Sequence, residues 1–203
     1  MYFMFYIVGL GNPESEYDGT RHNIGREIAE KFAKKFDFDD FEYDKKSNSL
    51  ISVGEVKISA RKKESVTVIL PQTFMNKSGN SLKKLITSAK KAKSLIVIQD
   101  DIDMAFGKGK IVFGKNSGGH RGIDSINKGI KTKDYIRVKI GISPTTPTGK
   151  IKKPKGEEKV IKHVLGKFSP KEKPIIKKLE KKTVETLEKI VTEGYIKAMN
   201  GFN

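Results

Sequence analysis

Apolar and polar positions fall into short blocks along this chain, and the blocks read as alternating strands and helices. Tyr2 to Val8 are aromatic or β-branched almost without interruption, and Gly9-Leu10-Gly11-Asn12-Pro13 follows. That pattern predicts a buried strand running into a loop. Ile24, Ile28, Phe32 and Phe36 then recur at helical spacing, predicting a helix over 24–36. Three strand-like pieces come next, at 49–53, 56–60 and 66–70, the last closed by Pro71. Asn76 or Ser78 is placed to cap a helix through Leu82 and Ile86. The run Leu95-Ile96-Val97-Ile98 inside 94–99 predicts a strand covered on both faces, ending at Asp100-Asp101-Ile102-Asp103. A strand over 109–113, a loop rich in Gly, Lys and Ser, a helix over 123–130 and a strand over 135–142 complete the regular pattern.

This order implies an α/β fold: a single-domain three-layer sandwich with a central mixed β-sheet flanked by helices. The consecutive strand-like pieces near residue 50 argue against a purely parallel sheet. From Ser143 the character changes, and residues 150 to 182 hold thirteen Lys against four Glu. Residues 143–156 read as an exposed, mobile basic loop. Ser169-Pro170-Lys171-Glu172 resembles a capping box with Pro at the first helical position, opening a C-terminal helix over 169–200. Ile175, Ile176, Leu179, Leu187, Ile190 and Val191 fit one face of that helix, which is expected to pack on the domain. Residues 1–203 are thus read as one domain without internal repeats.

Charge adds a partner class. Forty-one Lys and Arg against 24 Asp and Glu give a formal charge of +17, which favours contact with a polyanion. The absence of cysteine excludes disulfides, thiolate metal sites and a Cys nucleophile. The apolar start lacks both a basic flank and a small-residue cleavage site, so it is not read as a signal peptide. No apolar run approaches the roughly 20 residues needed to span a bilayer. A cytoplasmic protein is expected.

The candidate chemistry lies in loops. In the Gly9 loop the third glycine of a dinucleotide fingerprint falls on Glu14, and the helix starts too late to receive a phosphate. No P-loop motif occurs either. What remains is a loop presenting the amide of Asn12. Of the three histidines, His22 stands among polar neighbours before the first helix, His120 follows Gly118-Gly119, and His163 sits in a Lys-rich stretch as an expected bystander. A general base near neutral pH is sought among them. Asp100, Asp101 and Asp103 would share the carboxyl end of the sheet with the Gly9 loop, and one of them is placed to accept a hydrogen bond from His22. A rival reading has these carboxylates hold a divalent metal, as in phosphoesterases. Phe74 and Met75 read as core, with Asn76 as a presented amide.

Taken in order, G-L-G-N-P, T-R-H-N, L-P-Q-T-F-M-N-x-S-G, D-D-x-D and G-G-H resemble the bacterial peptidyl-tRNA hydrolases over most of the chain. The resemblance implies hydrolysis of the ester between peptide and tRNA by a monomer with no metal, no cofactor and no obligate protein partner. It implies that His22 is the catalytic base, Asp100 its supporting carboxylate and Asn12 the amide that recognises the peptide. It further implies that Tyr17, Phe74, Met75, Asn76, His120 and Arg121 meet the tRNA 3′ end and peptide, and that Arg137 belongs to a phosphate-binding patch serving the acceptor stem. Three positions depart from the family's pattern. Arg121 stands where Asn is common, Val112 where a phosphate-contacting Lys falls, and Gln99 where His is frequent. A non-catalytic RNA-binding relative, like the plant organelle splicing factors of this fold, is the second alternative reading.

Overall fold

The computed structural model describes residues 4–203. The first predicted strand forms as β1 (Met4–Gly9), while its expected start at Tyr2 lies outside the described residues. The chain continues through α1 (Ile24–Lys35), β2 (Glu42–Asp44), β3 (Ser49–Ser59), β4 (Lys62–Pro71), α2 (Ser78–Leu85) and α3 (Ala89–Lys93). Then come β5 (Leu95–Ala105), β6 (Gly109–Phe113), α4 (Arg121–Ile130), β7 (Ile136–Ser143), α5 (Glu157–Val164), α6 (Lys173–Glu193) and α7 (Tyr195–Phe202).

The strands form one seven-stranded sheet in the order β2-β3-β4-β1-β5-β7-β6. β1 runs parallel to β4 and β5, and β5 parallel to β7. β2, β3 and β6 join antiparallel at the two edges, so the sheet is mixed. Side-chain alternation divides the core into two layers. Ile7, Ile96 and Ile98 point to the face covered by α1, α6 and α7, where they meet Ile28, Phe32, Leu187 and Phe202. Tyr6, Val8, Leu95 and Val97 point to the opposite face, against Leu82, Ile123 and Ile126 of α2 and α4. A central strand must be apolar on every residue to serve both layers, which is why β1 and β5 read as continuous hydrophobic runs.

Three of the predicted elements take a different form from the sequence expectation. The pieces predicted at 49–53 and 56–60 are one strand, β3, which pairs with β4 along a long hairpin. The interruption at Gly54 is a packing device: a Cβ there would lie 2.1 Å from Cδ1 of Phe38, so only glycine lets the ring cover the strand. β5 does not stop at Asp100 but continues to Ala105 beside β7, with a register shift between Asp101 and Ala105. The C-terminal helix is two helices, since Gly194 adopts φ 90° and turns the chain between α6 and α7. Glu172 does reach back to accept the Ser169 N–H at 2.7 Å, but α6 starts only at Lys173 with Glu172 at its N-cap, so Ser169 does not cap it and Pro170 is not its first residue. Ile175, assigned to the buried face, is instead exposed, while Ile176, Leu179, Leu187, Ile190 and Val191 are buried. Between Ser143 and Glu157 the only β-pairing among the described residues is an isolated bridge from Thr145 to Ile151, and most of the segment is exposed. Among the described residues no helix is long and apolar enough to cross a membrane.

The α1–α6 contact carries a titratable pair. Lys31 holds the buried Glu180 at 2.5 Å, and Glu27 accepts the Gly19 N–H at 3.1 Å on the same helix. Burial and the charge of Glu180 push the Glu27 carboxyl up to about 7. A carboxyl whose folded pKa is raised binds its proton more tightly in the native state, so stability falls as pH rises from the unfolded carboxyl range through 7. Glu27→Gln removes this titration. It should raise the melting temperature by roughly 2–4 °C at pH 8, corresponding to about 1 kcal/mol after solvent screening, and leave it unchanged near pH 4. Thermal melts of both proteins across that pH range check it.

Candidate active site

The site forms where β1 stops and β5 goes on. The last residue pair between them is Gly9 with Ile98, so Asp100 projects from β5 beyond the end of its neighbour. Leaving β1, the chain turns through Leu10 and Gly11 to Asn12. Asn23 fixes that turn from both sides: its Oδ1 accepts the Asn12 N–H at 2.9 Å, and its Nδ2 donates to the Asn12 carbonyl at 2.9 Å. Asn23 stands just ahead of α1 but does not cap it, because its amide is spent on this loop. The Asn12 side chain in turn accepts the Met75 N–H on Oδ1 at 2.9 Å. The oxygen is thereby turned toward the Met75 backbone, and Nδ2 is the part left to present.

His22 sits in the 3-10 turn Arg21–Asn23 and donates from Nδ1 to Oδ1 of Asp100 at 2.8 Å. His120 reaches the same oxygen with Nε2 at 3.0 Å. The tautomer of His120 follows from its other nitrogen, since Nδ1 accepts from the N–H groups of Gly122 and Ile123 at the start of α4. Its proton is thus on Nε2, facing Asp100. With Nδ1–H of His22 also facing Asp100, the neutral His22 ring keeps its lone pair on Nε2. The two rings lie 5.3 Å apart.

Electrostatics favour charge separation here. Asp100 is 2% exposed, and burial opposes its ionisation. The two imidazoles outweigh that cost and hold its carboxyl well below the usual carboxylate range. Burial likewise opposes a charged His22, but the Asp100 charge and hydrogen bond prevail over burial and over repulsion from Arg121, raising its pKa above the ordinary imidazole value. In its neutral form a base raised in this way is a stronger proton acceptor.

These groups open into a cleft of about 320 Å³, within the range of ligand sites. Asn12, His22, Phe74, Met75, Asn76, Asp100, His120 and Arg121 all line it. Eight of the ten residues singled out from the sequence therefore converge. Tyr17 does not line the cleft, lying in the 3-10 turn Ser15–Tyr17. Arg137 departs further from expectation: it is 2% exposed within β7, away from the cleft, and its Nη2 donates to the Asn116 carbonyl at 2.9 Å. Its guanidinium braces the loop before Gly118-Gly119-His120 and is not presented to a phosphate. His163 is no bystander, since its Nε2 lies 2.9 Å from the Ile142 carbonyl and ties α5 to β7.

The three aspartates do not converge on a cation. Asp101 is paired with Lys139, and Asp103 with Lys153 at 2.5 Å. His22, Asp100 and His120 do place ligand atoms within 4.8 Å of one another. A metal there needs a lone pair on Nε2 of His120, and the two backbone N–H groups on Nδ1 put the proton in its place. This donor set suits proton transfer better than metal ligation.

Known proteins give the family. The profile of the peptidyl-tRNA hydrolase family matches residues 6–203. The chain belongs to the peptidyl-tRNA hydrolase family. It is 38% identical over 201 residues to a peptidyl-tRNA hydrolase of Dehalococcoides mccartyi, covering 98% of this chain and 100% of that one. A peptidyl-tRNA hydrolase of Thermodesulfovibrio yellowstonii is 36% identical over 203 residues, covering 98% and 99%. The crystal structure of peptidyl-tRNA hydrolase from Acinetobacter baumannii superposes with a TM-score of 0.82 at 30% identity, over 97% of this chain and 93% of that one.

Within this member of the peptidyl-tRNA hydrolase family, sequence reasoning missed one whole wall of the cleft. Val160, Ile161, Val164 and Leu165 of α5 and its C-cap line it. Their spacing is helical, but the surrounding lysines masked it. Asn23, the clamp on Asn12, was also passed over although it lies within T-R-H-N.

The pair His22–Asp100 makes a testable statement about pH. Only neutral His22 accepts a proton, so kcat/KM should rise with pH through the His22 pKa. Asp100→Asn removes the charge that opposes burial, so the His22 pKa falls and the acid limb moves to lower pH. The plateau falls too, by about 10²–10⁴-fold, because the tautomer and the imidazolium lose their support. A pH profile of kcat/KM for both proteins separates the two effects.

Proposed function

We propose that this protein hydrolyses the ester joining a peptide, or an N-blocked amino acid, to the 3′-terminal ribose of tRNA, acting in the cytoplasm as a monomer. The observation that carries the mechanism is the single Asp100 oxygen shared by His22 and His120, with Nε2 of His22 left as a free base in the cleft. His22 takes a proton from water as the oxygen attacks the ester carbonyl. The imidazolium that forms is held by Asp100, whose own charge is secured by His120. Such general-base assistance is worth roughly 10²–10⁴-fold. Asn76, exposed on the cleft wall beyond Met75, is placed to donate to the oxyanion, a contribution of about 3–4 kcal/mol for a well-aimed donor. Protonated His22 then returns its proton to the departing ribose oxygen, which releases tRNA and a free carboxylate.

Asn12 supplies the selectivity. Because its oxygen is turned to the Met75 N–H, Asn12 presents chiefly its Nδ2 donor to substrate. A peptide or acetyl carbonyl next to the ester accepts from that donor. The ammonium of a free aminoacyl group offers only donors and a charge, so it is rejected by mismatch. The excess of Lys and Arg supports binding of the tRNA phosphates; Lys115 is exposed in the loop that Arg137 braces, and Lys110 is exposed on β6.

The test is release of the acyl group from N-acetyl-aminoacyl-tRNA and from free aminoacyl-tRNA, both in excess EDTA. Selective release from the acetylated substrate is expected, with tRNA affinity falling about tenfold between 50 and 200 mM salt if two phosphates are contacted. Loss of activity in EDTA would return the metal reading, and binding without release the non-catalytic one. Asn12→Asp replaces the donor by an acceptor and should shrink the preference for the acetylated substrate by at least about tenfold.

A further inference from the structure

Arg121 and Glu157 face each other across the mouth of the cleft. Arg121 opens α4 directly after His120, and Glu157 opens α5 on the facing wall, 36 residues later. Their side chains form an ion pair while remaining 62% and 71% exposed. The rest of α5 is fastened at its other end. His163 is tied to Ile142, and the carbonyls of Gly166 and Lys167, just beyond α5, accept from the Arg21 guanidinium at 3.1 and 2.9 Å. Arg21 itself donates from Nη2 to both carboxylate oxygens of Glu172. The leading end of α5 follows an exposed segment, and among the described residues two exposed ion pairs hold it, Arg121–Glu157 and Lys153–Asp103. An apolar wall is thus anchored beside His22 and clasped at the rim by a weak contact.

We propose that Glu157 is a specificity-determining residue: it holds Arg121 as a stand-in for a phosphate and yields it to the phosphodiester that precedes the substrate's terminal ribose. This rests on the hydrolase reading of the cleft. A guanidinium fork fits carboxylate and phosphate alike, so one partner replaces the other without rebuilding the site. An exposed ion pair holds weakly, so the exchange costs little and the rim of α5 is released as the phosphate arrives. The exchange also keeps an anion on Arg121, whose charge otherwise disfavours the imidazolium at His22. The chain thereby reads the tRNA end as a charged strand, a task for which an amide at position 121 has no charge to offer.

The experiment compares wild type, Glu157→Gln, Arg121→Gln and the swap R121E/E157R on two substrates sharing one ester. These are N-acetyl-aminoacyl-tRNA and N-acetyl-aminoacyl-adenosine, the latter lacking the phosphate. With tRNA, Glu157→Gln should lower KM about two- to fivefold, because Arg121 no longer has a competing anion. Arg121→Gln should raise KM and reduce the slope of log KM against log salt by about 0.7, as expected when one phosphate of a single strand is no longer neutralised. The swap, which keeps an ion pair but reverses it, should behave like Arg121→Gln. These effects on KM should be at least about threefold larger with tRNA than with the adenosine ester. The acid limb of kcat/KM should move to lower pH in Glu157→Gln and to higher pH in Arg121→Gln. A swap that restores wild-type KM on tRNA, or equal effects on both substrates, would overturn the proposal and leave the pair as a structural clasp. Failure of the wild type to hydrolyse either ester would instead overturn the hydrolase reading.

Discussion

A single buried carboxylate organises this protein. Asp100 is 2% exposed at the point where β5 outruns β1, and removing an ionised carboxylate from water costs several kcal/mol. Two imidazole N–H groups on one of its oxygens, each a charge-assisted bond of roughly 1.5–3 kcal/mol, offset a cost of that size. The compensation works only if both rings arrive at the right distance. The surrounding loops are built to ensure this: Asn23 clamps the turn next to His22, and two backbone N–H groups at the start of α4 orient His120. The site's chemistry is thus a consequence of burying a charge.

The same constraint explains the division of labour between the histidines. His120 uses both nitrogens on the protein, one on α4 and one on Asp100, so it has nothing left to exchange with a substrate. His22 uses one nitrogen and keeps the other. Two residues of identical chemistry therefore take different roles because of what their second nitrogen meets. Asn12 illustrates the rule for amides. An amide able both to give and to accept presents chiefly its Nδ2 donor when its oxygen is turned to the Met75 N–H.

Around this rigid centre the cleft is assembled from parts of unequal firmness. The α4 side is fixed by the sheet and by helix-capping bonds. The α5 side is pinned near His22 through His163 and the Arg21 contacts, and at its far end by exposed ion pairs. A wall fastened at one end and clasped at the other can yield at its rim while the end beside His22 stays in place.

Much of this was legible in the residues. The apolar runs of β1 and β5 announced a sheet covered on both faces, since only a doubly buried strand is apolar at every position. The ordered loop motifs brought His22, Asp100, Asn12, Asn76, His120 and Arg121 forward as candidates, and all six line one cleft. Local sequence determines which groups are available and how each segment prefers to run, because propensity and periodicity act over a few neighbours. It does not determine what a second nitrogen or an amide oxygen will touch. The shared oxygen of Asp100, the burial of Arg137 in β7, the tie from His163 to Ile142 and the cleft wall of α5 each join segments far apart in sequence. Only the tertiary structure decided these, because burial and hydrogen-bond partners are properties of the packed chain.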